Sequence, residues 1–178
     1  MTQGNLQLEG IAPLPRHADR FSDAVAPDKP VKRILAIASG GGHWVQLCRL
    51  VPVFEGHDVA FLTTIAGNKA QVKNGRFYSI HDASRWDKIG LMRLALQMTW
   101  IIVRERPDVI ISTGAAIGYI GIRLGKLFRA RTIWVDSIAN VEKLSLSGRH
   151  VGRHADLWLT QWPHLARPEG PQYFGAVL

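Results

Sequence analysis

"VKRILAIASGGGHWVQL", residues 31–47, decides the fold. Its first part runs through Ile34, Leu35, Ala36, Ile37 and Ala38, the aliphatic composition of a strand buried on both faces of a parallel sheet. Three glycines then turn the chain. After them Trp44, Leu47, Leu50 and Val51 recur at helical spacing, so a helix is expected over residues 44–54. The glycines have two readings. They can simply turn the chain tightly, or they can bring backbone N–H groups against a phosphate with His43 beside it.

The same alternation continues outward. "HDVAFLTT" (57–64) and the shorter "GRFYSIHD" (75–82) read as strands. "WDKIGLMRLALQMTWIIVRERP" (86–107) reads as a long helix, with Asp87 suited to its first turn, Arg104 and Arg106 to its last, and Pro107 ending it. "DVIIST" (108–113), a helix over "AAIGYIGIRLGKLF" (115–128), "RTIWVD" (131–136) and "ADLWLTQW" (155–162) complete the series. Strand and helix in alternation predict a Rossmann-like α/β fold, a parallel sheet with helices on both faces. Such a sheet takes ligands beyond the carboxyl ends of its strands. The loops "SGGGH" (39–43), "STGAAIG" (112–118) and "DSIANVEKLSLSG" (136–148) should therefore line one crevice.

Length and composition narrow the class. A chain of 178 residues, 47% hydrophobic and 20% charged, is globular and fits one domain. Residues 1–30 hold four prolines, mixed charges and no apolar run, and are expected to form a flexible extension before a domain over 31–178. Without a spanning segment, any membrane attachment is expected to be peripheral. The single Cys48 excludes an internal disulfide and points to a reducing, cytoplasmic setting. A net charge of +8 suits anionic lipid, phosphorylated substrates or nucleic acid. The basic residues are scattered, however, with neither an RNA-binding aromatic signature nor zinc-finger spacing, so nucleic acid is the weaker partner. The helix at 87–106 is apolar on more than one face. That fits a core helix, or one that also meets a membrane or partner with Trp86, Arg93 and Trp100 as anchors.

The candidate site residues fall in the three loops. Ser39, Gly40, Gly41 and Gly42 lack the dinucleotide spacing, because position 45 is valine, and they lack a P-loop Gly-Lys-Ser/Thr. What remains is a glycine loop at a helix N-terminus, suited to phosphate or pyrophosphate. His43 could accept a proton from a hydroxyl or merely bond the loop. Ser112 and Thr113 could donate to an anion or a sugar hydroxyl while Gly114 admits close approach; helix capping explains them equally. Asp136 at a strand end could hold a sugar hydroxyl. Ser137, Asn140, Glu142, Ser145 and Ser147 make the loop unusually polar, although Glu142 could be a solvated charge. His150 and His154 stand four apart, but two arginines flank them and no third ligand is evident. With no D-x-D triplet either, no metal or other cofactor is expected.

"SGGGHWVQL", "RPDVIISTGA", "VDSIANVEKLSLSGR" and "ADLWLTQWP", in that order, resemble the acceptor-side subunits of two-part glycosyltransferases. One branch is the membrane-recruiting subunit of the N-acetylglucosaminyltransferase that adds the second sugar of dolichol-linked glycans. The other is the bacterial exopolysaccharide proteins of the PssD type, glucuronosyltransferase subunits acting on lipid-linked glucose. Asp136 and Asn140 stand where the eukaryotic branch usually has Glu and Arg, which places the chain nearer the bacterial branch. The resemblance implies the N-terminal half of a GT-B fold that binds a polyprenyl-pyrophosphate-linked saccharide at the inner face of the cytoplasmic membrane. A partner chain, the C-terminal half, would bind the UDP-sugar. It further implies Gly41, Gly42 and His43 as the pyrophosphate loop, with His43 a candidate base; Asp136, from its place at the strand end, is the second catalytic candidate. The reaction implied is direct displacement of UDP by an acceptor hydroxyl, with glucuronic acid as the sugar. The alternative is a non-catalytic membrane-recruiting scaffold whose partner holds all the chemistry.

Overall fold

The computed structural model describes residues 30–83 and 86–177. The extension expected over 1–30 therefore lies, but for Pro30, outside the described residues. Strand β1 (Arg33–Ile37) is followed by helix α1 (Gly42–Arg49), β2 (Asp58–Thr63) and β3 (Arg76–Ser79). Then come α2 (Lys88–Glu105), β4 (Val109–Ser112), α3 (Ala115–Leu127), β5 (Arg131–Val135), α4 (Leu146–Val151) and β6 (Leu157–Leu159). The strands form one sheet in the order β3-β2-β1-β4-β5-β6. Every pairing is parallel, with Ile34 opposite Val59 on one side and Val109 on the other. The order reverses direction at β1 and β4, the position at which such sheets open a crevice.

Each face of the sheet has its own core, as the alternation along a strand requires. Leu35 and Ile37 pack with Ile110 and Trp134 under α2 and α3, against Leu94, Met98, Ile102 and Ile122. Ala36 joins Phe61, Ile111 and Val135 on the opposite face, under Trp44 and Leu47 of α1 and Phe54. Trp44 lies edge-on to Phe61 and Phe77 at 6.2 Å each. The long helix begins as its sequence suggests: Asp87 accepts from the Gly90 N–H at 2.8 Å, a side-chain cap. It ends with Arg106 in the left-handed conformation, just before Pro107.

Three elements differ from expectation. The first helix stops at Arg49, and Val51–Phe54 form a separate 3₁₀ turn. Pro52 explains the break, because it cannot donate within a helix. The last strand keeps only Leu157–Leu159 of the expected 155–162. At Thr160 the backbone N–H turns to the carbonyl of Gln172, drawing the chain away from β5. The polar loop after β5 contains a short helix, α4, whose cap is Ser145 accepting from the Gly148 N–H at 2.8 Å.

Candidate functional site

The loops after β1, β4 and β5 come from adjacent strands, and hydrogen bonds stitch them together. The first is built around an open helix terminus. Gly41 sits at the N-cap of α1 with φ 65, a left-handed conformation that suits glycine. No side chain caps this helix and its first turn holds no acidic residue. Gly41 and Gly42 are exposed, and a Cβ built on either would meet nothing within 4 Å. The first N–H groups of α1 thus lack a side-chain cap, at the positive end of the helix and beside two solvent-exposed glycines. Ser39 is half-buried, and its hydroxyl donates to the Gly40 carbonyl at 3.4 Å.

His43 joins this loop to the next. Thr113 Oγ1 donates to the His43 carbonyl at 2.7 Å, and His43 Nδ1 lies 2.9 Å from the Thr113 carbonyl. A carbonyl only accepts, so Nδ1 carries the proton in that bond. In the neutral ring Nε2 is then the acceptor, and it has no partner among the described residues. Gly114 stands at the N-cap position of α3 with φ 137 and has no side chain to cap the helix, and a Cβ there would fall 2.5 Å from His43 Cε1. Ala115, the first residue of α3, has φ 65. A non-glycine residue in this region is uncommon and marks a strained turn. Two uncapped helix N-termini therefore meet at the point where the strand order reverses.

Ser112 and Thr113 are fully buried. Ser112 Oγ accepts from the Gly114 N–H at 3.2 Å, and the Thr113 hydroxyl is engaged by His43. Both side chains shape the loop from within, bonded to neighbouring backbone groups.

Asp136 is likewise interior, 1% exposed. Oδ1 accepts from Trp134 Nε1 at 3.2 Å and Ser145 Oγ at 2.6 Å; Oδ2 accepts from Asn140 Nδ2 at 3.2 Å and the Ser145 N–H at 3.0 Å. Ser137 accepts from the Ala139 N–H at 3.3 Å. Glu142 is exposed and Ser147 half-buried. Asp136, Asn140 and Ser145 are thus brought together, but around the base of their own loop.

Four residues that were not among the site candidates tie the loops together. Gln46 of α1 is 4% exposed and reaches Ser137 Oγ with Nε2 at 3.4 Å, linking the first loop to the third. Its Oε1 is buried with no partner among the described residues. Gln161 donates to the Asp136 carbonyl at 2.9 Å, Trp162 Nε1 to the Ile138 carbonyl at 2.8 Å, and His164 Nε2 to the Val141 carbonyl at 2.6 Å. Gln161, Trp162 and His164 therefore tie the backbone of the polar loop to the segment after β6.

Other reactive groups have quieter surroundings. His150 Nδ1 donates to the Leu146 carbonyl at 2.7 Å within its own helix. His154 lies edge-on to Tyr119, and burial, then Arg123 and Arg153, pushes its pKa below the usual imidazole value. Burial raises the Cys48 thiol, the opposite of what activates a nucleophile. Among the described residues no three His, Cys, Asp or Glu side chains gather as metal ligands. No helix among them is long and apolar enough to cross a membrane.

The solved structures that share this architecture include MurG of Acinetobacter baumannii, with a TM-score of 0.66 at 14% identity over 82% of this chain. A UDP-GlcNAc 2-epimerase of Methanocaldococcus jannaschii follows with a TM-score of 0.55 at 12% identity over 72%. The chain spans 45% of the first and 39% of the second, so the likeness is to one part of each. Among curated proteins, the UDP-N-acetylglucosamine transferase subunit ALG14 of Eremothecium gossypii is 28% identical over 84% of this chain and 81% of its own length. Its counterpart in Schizosaccharomyces pombe is 37% identical over 40% of this chain and 37% of its own length. The model of the family "Oligosaccharide biosynthesis protein Alg14 like" matches residues 88–177, which carry α2, the β4 and β5 loops and "QWP". The chain belongs to the Alg14-like family of oligosaccharide biosynthesis proteins.

Proposed function

We propose that the chain is the membrane-side subunit of a two-chain glycosyltransferase, presenting a lipid-pyrophosphate-linked saccharide to a partner that binds the UDP-sugar. The observation that carries this reading is the meeting of two uncapped helix N-termini, α1 and α3, at the reversal of strand order. Free N–H groups and two positive helix ends suit a pyrophosphate, with no nucleotide fingerprint competing for the loop. Kinship with proteins named as transferase subunits supports a division of labour between chains. Localisation follows from the substrate: a peripheral position at the cytoplasmic face of the membrane, where the lipid-linked acceptor is held.

Two roles remain for this chain within that assembly. The recruiting role, with chemistry left to the partner, has the better support from the subunit relatives. The catalytic role rests on His43, whose Nδ1 bond leaves Nε2 free to take the proton of an acceptor hydroxyl as it attacks the anomeric carbon and UDP departs. Asp136 has no such opening and acts by positioning the loop. The donor has two readings as well. A glucuronosyl donor in exopolysaccharide synthesis follows the bacterial resemblance, whereas the curated relatives carry UDP-N-acetylglucosamine in their names.

The test is the variant His43→Asn, which keeps a donor near the Thr113 carbonyl and removes Nε2. Complex with the partner is followed by co-purification, and transfer to membrane lipid is followed with labelled UDP-N-acetylglucosamine and UDP-glucuronic acid. The recruiting role predicts transfer within about threefold of the parent, since no proton transfer is lost. A loss of about 100-fold or more with the complex intact assigns the base to His43 instead. Failure of the chain to join any UDP-sugar-binding partner overturns both.

A further inference from the structure

The core side of α2 is made by Leu94, Met98, Ile101 and Ile102. Its opposite side is apolar too: Ile89, Met92, Leu96, Trp100 and Val103 follow one another at steps of three and four and are between 50% and 64% exposed. Side chains at those steps share one face of a helix, here about 21 Å long. An apolar groove of about 440 Å³ lies beside it, lined by Tyr78, Ile80, Leu96, Trp100 and Ile101, so the stripe widens into a patch.

The exposed charges that α2 itself carries have one sign. Lys88, Arg93, Arg104 and Arg106 are all exposed, and the Arg104 guanidinium lies 5.5 Å from the centre of the Trp100 ring. The acidic residues of the region are occupied elsewhere. Asp87 caps the helix, and Glu105 is buried, bonded by Arg76 and Tyr78. An amphipathic helix with apolar residues, a tryptophan and flanking arginines on its outer face matches an anionic lipid surface. A second copy of the chain is a poor match, because it would bring these four cations against the same four.

We infer that α2 lies on the membrane, with the stripe Ile89–Met92–Leu96–Trp100–Val103 entering the headgroup layer and Lys88, Arg93, Arg104 and Arg106 held by anionic lipid. This deepens the membrane-side reading above and rests on it for biological context. The helix begins where the chain leaves the carboxyl end of β3, the sheet edge that also carries the glycine loops, so a bilayer under α2 lies beside the crevice.

The test is co-sedimentation of the full chain with vesicles of phosphatidylcholine alone or with about one third phosphatidylglycerol. The parent should bind the anionic vesicles. Met92→Glu with Leu96→Glu, both at exposed positions, should lower that binding about 100-fold at an unchanged melting curve. Arg93→Gln with Arg104→Gln leaves the stripe intact and should lose about fivefold per arginine on anionic vesicles only. Undiminished vesicle binding by the glutamate pair overturns the inference, as does equal binding of the parent to neutral and anionic vesicles. A glutamate pair that keeps vesicles but loses its protein partner also overturns it, by assigning the face to that partner. Co-purification with the UDP-sugar-binding chain, measured on the same variants, reports on the proposed function separately.

Discussion

Asp136 is buried at the end of β5 and organises the loop that follows it. Trp134, Asn140 and the Ser145 backbone and hydroxyl donate to it, which matches the full acceptor capacity of a carboxylate. The hydroxyl of Ser145 accepts from the Gly148 N–H and donates to Asp136, because a carboxylate can only accept. An amide in place of the carboxylate would turn an N–H₂ group toward two of those donors. Asp136→Asn should therefore lower stability by about 2 kcal/mol or more, the penalty of unpaired buried donors. Glu142→Gln, at an exposed position of the same loop, should stay within about 0.5 kcal/mol. Urea denaturation of both variants decides the matter; equal midpoints would remove Asp136 from its organising role.

At the scale of elements, α3 is held unusually close to the sheet by glycines on its underside. A Cβ on Gly121 would approach Ile37 Cδ1 to 2.4 Å, and one on Gly125 would approach Ile110 Cδ1 to 2.6 Å. The helix thus rests on β1 and β4, the strands whose ends carry the two glycine loops, and its N-terminus is set at Gly114. Gly121→Val would overpack this contact and add a β-branched residue to the helix. A loss of about 1–3 kcal/mol is expected in the denaturant midpoint, and a gain would mean that the helix can lift freely. The parallel alternation was legible because each element carries its own local signal: aliphatic strands, the Asp87 cap, Pro107 and the glycines. The end of α1 was readable in principle from Pro52, but the helical spacing of Leu50 and Val51 outweighed it. Glycine loops also announce themselves by composition. The ties between loops do not, because Gln46 meets Ser137 across 91 residues and Gln161 meets the Asp136 carbonyl across 25, and only the sheet order brings them together. Ser112 and Thr113 were legible as loop residues, while their burial depended on the close seat of α3.

For the whole molecule, charge and packing act together as pH falls. The chain already carries a net charge of +8, and acid adds to it. His154 is held below its ordinary pKa by burial, then by Arg123 and Arg153, so the folded protein binds a proton there less readily than the unfolded chain. A group depressed in the fold contributes stability above its unfolded pKa, and that contribution is lost as pH falls through the folded value. For His154 the loss begins near about pH 6.5 and continues downward. The hydrogen bond from Arg76 lowers Asp58, and the backbone and side chain of Arg33 lower Asp108. Burial raises Asp156, but Lys126 and Thr132 outweigh it. These three carboxylates obey the same sign, and their loss begins near about pH 4. The melting temperature should therefore decline from pH 7 toward pH 5 and fall further below about pH 4. His154→Gln removes the titrating ring while leaving Arg123 and Arg153 in place, so it should flatten the decline between pH 7 and pH 5 and leave the acid fall unchanged. Thermal melts of the parent and this variant at matched ionic strength provide the comparison. An identical slope between pH 7 and pH 5 in both proteins would show that His154 is protonated as easily in the fold as outside it.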